Sequence, residues 1–279
     1  MLSHSRSAKA ALYGGISLFV IVALLPYLWV IRTSLLSNMA AISLRTPIIP
    51  LSPELLTPKS YIDMFQTYDF GLYFRNSIFV SLASTAIALL FSIPGAYAFA
   101  RLDFPGRQVL FYTAVFTIMF PWIVITIPVY EMFYQINLLN SFVGIIVALA
   151  IFIQPVCIWL LQGFFRQGIP PNIEEAALID GTTEIGAFVR VVLPLSMPAI
   201  AATALFSFLS AWNNFLWVFI LTSDNRYWTA TVAIHYSMAS DILREWNVLM
   251  AGLVMLILPP IVFYGLSQRY VGEGLGGAP

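Results

Sequence analysis

The residues best placed to do chemistry gather in one polar stretch, 170–194, which reads PPNIEEAALIDGTTEIGAFVRVVLP. Glu174, Glu175, Asp180 and Glu184 set four carboxylates there, opposed by Arg166 and Arg190. Asn172 has the side chain of a helix N-cap, and Glu175 stands three residues later, as in a capping box. A short helix is therefore expected from Ile173 to Asp180. Gly181 supplies the turn, since glycine tolerates a positive φ. A second helix should start at Thr182 or Thr183 and run to Leu193, with Pro194 and Pro198 marking a bend beyond it. Ala176 and Ala177 are small, so another surface can approach the first helix closely. The stretch reads as a water-exposed helix–turn–helix built for contact.

Other chemistry is absent from the sequence. A phosphate-cradling G-x-x-x-x-G-K-[ST] loop needs a lysine in the right frame. Lys9 is followed by Ala10, and Lys59 follows Pro58, so neither fits. His4 and His235 cannot form an H-E-x-x-H zinc site, and no G-x-S-x-G nucleophile elbow occurs. The lone cysteine, Cys157, allows no internal disulfide and lies in an apolar run, where it reads as packing. Glu131 falls near a helix end and reads as an interfacial, solvated carboxylate; an ion path would need several such groups deeper in the apolar segments. No catalytic residue, metal ligand or cofactor site is expected on this chain.

The elements that position these residues must sit in lipid. Of 279 residues, 60% are apolar and 9% charged, against roughly 25% charged in ordinary globular chains. Mean hydropathy is +0.87. Such a surface cannot face water all round. The composition argues against disorder, a disulfide-stapled secreted scaffold and a basic nucleic-acid binder. Thirteen basic residues balance thirteen acidic ones, so no global field attracts a nucleic acid.

A crossing helix needs about 20 apolar residues. Six candidates follow: Ala11–Ile31, Ile78–Ala100, Val109–Tyr130, Phe142–Leu161, Ala199–Thr222 and Val248–Leu266. The first is too long for a signal-peptide core and no A-x-A site follows it, so it reads as an uncleaved anchor. The expected fold is an all-α integral membrane protein of six spans. It forms one transmembrane domain over 1–279, with the polar helix–turn–helix of 166–194 between spans four and five. Pro26, Pro94, Pro121, Pro128, Pro155, Pro259 and Pro260 fall in the spans and imply bent, mutually packed helices. Six spans put both termini on one side. That side carries seven basic residues (Arg6, Lys9, Arg101, Arg107, Arg166, Arg190, Arg269) against six on the other (Arg32, Arg45, Lys59, Arg75, Arg226, Arg244), a slight lean toward cytoplasmic termini.

The polar stretch also carries a longer pattern: Glu175-Ala176-Ala177, three residues, Gly181, nine residues, Val191, one residue, Leu193-Pro194. It resembles the EAA loop of permease subunits in binding-protein-dependent ABC importers, with Val191 where the family usually has isoleucine. Ala96–Arg107, Trp159–Arg166 and Ala211–Trp217 are similar to the carbohydrate subfamily, and Gln268–Gly277 resembles its G-x-x-x-G ending without the usual lysine. The likeness covers about 10–277, with the permease core at about 71–270, and matches best the six-span partner of the maltose type.

The resemblance implies an importer that passes a sugar or related solute from an extracytoplasmic binding protein into the cytoplasm of a prokaryote. Alternatives are a polyol or glycerol-phosphate importer of the same family and a secondary transporter. Implied partners are a second permease subunit, two ATPase subunits (alike or different), the solute-binding protein and the bilayer. The EAA loop becomes the coupling helix on the ATPase: Glu174, Glu175, Ala176, Ala177, Asp180, Gly181 and Pro194. Glu175 is expected both to meet a cation on the ATPase and to cap its own helix. Both termini are then cytoplasmic in the inner membrane. For substrate, Trp212, Asn213, Asn214 and Trp217 in span five offer the aromatic faces and amides that hold sugars; the alternative reading is helix–helix contact by the asparagines with an aromatic anchor. In the outer loop 223–247, Trp228, Tyr236 and Trp246, with Asp224, Asp241 and Arg244, are expected to face the binding protein.

Overall fold

The computed structural model describes residues 6–43, 56–238 and 245–275; among them structure is helical, joined by turns and one isolated antiparallel bridge between Leu36 and Leu56. Among the described residues, four helices are long and apolar enough to cross a bilayer, and two sharply bent helix pairs raise the number to as many as six if each pair counts as one span. The chain divides into two compact units.

The first unit comprises residues 1–70 and 234–257. Helix α1 (Arg6–Ser34) exposes its apolar side chains along the segment Leu12–Ser34, as a lipid-facing anchor would. Its end is held by polar contacts: the Ser34 hydroxyl lies 2.8 Å from the Tyr61 hydroxyl, and Thr33 Oγ1 donates to the Trp29 carbonyl. Two short helices follow, α2 (Asn38–Ile42) and α3 (Lys59–Thr67). Helix α3 buries Ser60 and Met64 on one face, and Ser60 accepts a hydrogen bond from Asn247.

The second unit comprises 71–233 and 258–279. Its axis is α4 (Phe70–Arg101) packed on α7 (Phe142–Gln167). Small polar residues let the two backbones approach, as in membrane helix pairs generally. Ser84 donates to the Ile146 carbonyl and Ser92 to the Gln154 carbonyl, each at 3.4 Å. Val80, Ala88, Ile145, Leu149, Ile153 and Cys157 fill the seam.

Between α4 and α7 the expected third span is not one straight helix. Helix α5 (Arg107–Ile118) and α6 (Trp122–Gln135) meet at 103°. Pro121 has no N–H to continue the ladder, and Met119 and Phe120 close α5 with tighter bonds to Phe116 and Thr117. After α6, Asn137 takes φ +56°, and Leu138 N–H returns to the Phe133 carbonyl, a Schellman closure. Helix α8 (Pro171–Ile179) follows α7.

A helical run then comprises α9 (Glu184–Ala187), a wide π-turn (Phe188–Val192) and α10 (Leu193–Leu195), and meets α11 (Met197–Trp212) at 73°. The expected fifth span is likewise interrupted. Helix α11 stops at Trp212 and α12 (Leu216–Leu221) restarts after a short break. Helix α13 (Ala230–Ala233) is buried, and α14 (Trp246–Leu275) gives its first half to one unit and its second to the other. Pro26, Pro94, Pro128, Pro155, Pro259 and Pro260 lie inside helices; Pro121 alone of the seven marks a break.

Candidate functional site

The polar stretch folds as helix, turn and helix, but its first cap differs from the expected one. Pro170 is the N-cap and Pro171 opens α8, with no side-chain cap bond. Proline at the first helical position suits this start, because its missing N–H is one of those that would be unpaired there anyway and its φ is preset for the helix. Asn172 and Glu175 therefore sit inside the helix, and the expected capping box does not form. The turn does form as expected. Gly181 takes φ +87°, its N–H donates to the Leu178 carbonyl, and Thr182 N–H donates to the Ala177 carbonyl. This is the Schellman pattern, reinforced by Thr182 Oγ1 to the same Ala177 carbonyl. Thr183 is the second cap, accepting from Gly186 N–H. Pro194 lies within α10 rather than after the helix.

The carboxylates of this stretch have different surroundings. Glu174 turns inward. Its Oε1 lies 2.9 Å from Arg101 Nε, and its Oε2 accepts from the Tyr97 hydroxyl at 2.9 Å. The pair is shielded, the side chains being 12% and 14% exposed. Arg101 also donates to the Ile169 carbonyl. The Tyr97 ring packs on Phe165 and Phe188. Thus the end of α4 holds α8, although 77 residues separate Tyr97 from Glu174.

Glu175 and Glu184 stay exposed and line a pocket of 590 Å³ with Tyr97, Arg101, Gln162 and Arg166. Ala176, Asp180 and Gly181 are exposed; Ala177 is buried. Beside them, Ile179 is 86% and Ile185 77% exposed, two large apolar side chains that spacing alone did not single out.

The break between α11 and α12 is built from the asparagine pair. Asn213 donates to the Leu209 carbonyl, ending α11, and Asn214 Oδ1 accepts from Trp217 N–H, starting α12. The amides thus satisfy helix ends, not a helix interior. A 520 Å³ hollow beside the break is lined by Trp122, Phe206, Leu209, Ser210, Asn213 and Asn214, among others. Trp122 follows the α5–α6 bend, so two backbone breaks meet at this hollow. Trp212 and Trp217 are instead buried. Trp212 stacks on Phe208, and Trp217 stacks on Phe152 at 4.2 Å and 11°. Neither lines the hollow, which removes the two expected aromatic faces from it and brings in Trp122 and Phe215.

The segment 223–230 is pinned at both ends. Asn140, at φ +51°, accepts through Oδ1 from Ser223 N–H, Ser223 Oγ and Asp224 N–H. Asn76 Nδ2 donates to the Arg226 and Trp228 carbonyls, and Ser77 Oγ accepts from Ala230 N–H. Hydrogen bonds from the Arg226 side chain and backbone hold the Asp224 carboxyl below the usual carboxylate range. Trp228 is half-buried against Tyr73, so it turns inward rather than out. Tyr236 is exposed, and Trp246 opens α14 with its N–H on Asn38. Asp241 and Arg244 lie outside the described residues.

These features define a multi-pass helical membrane protein whose polar residues lie on its loops and line its helix breaks. Residues 92–276 match the family described as the binding-protein-dependent transport system inner membrane component, and the chain belongs to it: this is an ABC importer permease. It is 30% identical to the inner membrane ABC transporter permease protein YcjP of Escherichia coli, covering 99% of this chain and 98% of that one. It is 34% identical to the trehalose transport system permease protein SugB of Mycobacterium tuberculosis, covering 96% and 97%. Among solved structures it superimposes with a TM-score of 0.78 and 26% identity on a chain of a bacterial ABC transporter involved in import of the acidic polysaccharide alginate, covering 97% of this chain and 99% of that one.

Proposed function

We propose that this permease passes a sugar or sugar-like solute inward, driven by separate ATPase subunits that dock on residues 171–195. The observation that carries the docking assignment is the polar helix–turn–helix with Ile179 and Ile185 almost bare beside Glu175 and Glu184. Exposed apolar side chains rimmed by charge are the mark of a protein contact. Glu175 and Glu184 would meet cations on the ATPase. Glu174 already has Arg101, so its role is to hold α8 in place. With that surface cytoplasmic, both termini are cytoplasmic too, and the pinned loop around 223–228 faces the solute-binding protein. A second permease would complete the path. ATP and Mg would be held by the ATPase subunits, since this chain has no phosphate-cradling loop.

The solute path runs past the hollow where the two breaks meet. Irregular backbone at membrane depth is tolerated where it lines a cavity. Asn213 and Asn214 with Trp122 and Phe215 offer amides and ring faces suited to hydroxyls and C–H faces of a sugar. Among the described residues lining it there is no arginine, which disfavours a phosphate-bearing solute such as glycerol phosphate. Relatives named for trehalose and for arabinooligosaccharides agree with a sugar. The test is a ligand screen of the solute-binding protein encoded beside this chain, followed by uptake of the hit in cells with and without the permease. A saccharide or polyol taken up only with the permease is expected; an amino acid, peptide or metal ligand would refute the substrate class.

A further inference from the structure

Helix α4 grips both polar surfaces of the second unit without being covalently adjacent to either. At its outer end Asn76 donates to the carbonyls of Arg226 and Trp228, 150 and 152 residues away, and Ser77 accepts from buried Ala230 N–H. At its inner end Tyr97 donates to Glu174 of α8, and Arg101 pairs with Glu174 and donates to the Ile169 carbonyl. About 30 Å of helix separates Ser77 from Tyr97 at 1.5 Å per residue. Along that length Ser84 and Ser92 bond to carbonyls of α7, so α4 cannot slide freely.

We propose that α4 is the rod that carries movement between the ATPase-facing helix α8 and the outer loop 223–230, with Asn76 and Tyr97 as positioning residues at its two ends. The proposal rests on the functional reading above and adds a route to it. The covalent route to α8 runs through α7. The grip of α4 is a second, non-covalent one, and a packed helix fixed at both ends displaces as a unit. Neither Asn76 nor Tyr97 need touch solute or nucleotide. Tyr97→Phe keeps the ring against Phe165 and Phe188 and removes only the bond to Glu174. Asn76→Ala removes two of the three outer bonds, keeps the one between Ser77 and Ala230, and leaves the covalent route intact.

The test uses the intact permease with its co-purified ATPase and second permease in nanodiscs of phosphatidylethanolamine and phosphatidylglycerol. A nitroxide is placed on Asn225→Cys, an exposed position; the native Cys157 is buried. The ATPase is trapped with Mg-ATP and vanadate, and the change in the label's spectrum is read. Trapping is expected to change the spectrum in the parent, and Asn76→Ala or Tyr97→Phe to shrink that change about threefold or more, as loss of a coupling carried by one or two hydrogen bonds should. Ser92→Ala, which loosens α4 from α7 but not from either loop, is expected to retain it. An unchanged response in both variants, an equal loss in Ser92→Ala, or no response in the parent would overturn the proposal. If no ATPase co-purifies with the parent, the functional reading itself falls, and the proposal with it.

Discussion

Gly181 offers a test whose magnitude can be worked from the backbone. Its φ is +87°, and a Cβ built there meets no atom within 4 Å. Substitution therefore costs conformational energy with no clash. For alanine in the left-handed region that cost is about 1–2 kcal/mol. The closed turn should then open about 5- to 30-fold more often. Asparagine, whose side chain can bond locally in that region, should cost less than alanine, and valine more. Hydrogen exchange on the purified protein reads this at three amides. Asp180, Gly181 and Thr182 donate to the carbonyls of Ala176, Leu178 and Ala177. Their protection should fall in the order Gly, Asn, Ala, Val, while amides inside α7 keep theirs. Unchanged protection in Gly181→Ala, or an asparagine variant worse than alanine, would refute the reasoning.

Further outcomes follow from other contacts. Arg101→Met should leave Glu174 shielded with Tyr97 alone and lower stability by roughly 2–4 kcal/mol; a melting temperature unchanged in detergent would contradict the ion pair's role. Asn140→Ala removes the acceptor of three donors around Ser223 and Asp224 and should open the outer loop to proteolysis; equal cleavage rates would contradict that. Trp217→Phe should be nearly neutral, because it keeps a ring on Phe152 and removes a buried N–H with no partner, whereas Trp217→Ala should cost about 3–5 kcal/mol. Equal melting temperatures for the two variants would sink that account.

Hydropathy located the long helices because lipid selects apolar composition over a fixed length. It could not see the breaks at 119–121 and 213–215. Both lie within apolar runs, and a backbone turn there is closed by local bonds that leave the mean hydropathy unchanged. The turn at Gly181 was legible because one residue type is needed there. The cap of α8 was not, since Asn172 and Pro171 each carry a start signal and the proline took the position. The acidic stretch was legible in the sequence, but the different surroundings of Glu174 and Glu175 depend on Arg101, which lies far off in sequence. Trp228 had the residue type of an exposed interfacial ring, and only the packing of Tyr73 turns it inward.

The most direct measurement is affinity purification of the intact tagged permease from membranes, alongside a variant carrying Ile179→Asp and Glu175→Lys. The parent should bring down a P-loop ATPase and a second permease. The variant should retain the second permease and lose the ATPase. A parent that imports solute with no ATPase bound, or a variant that keeps its ATPase in full, would contradict the account.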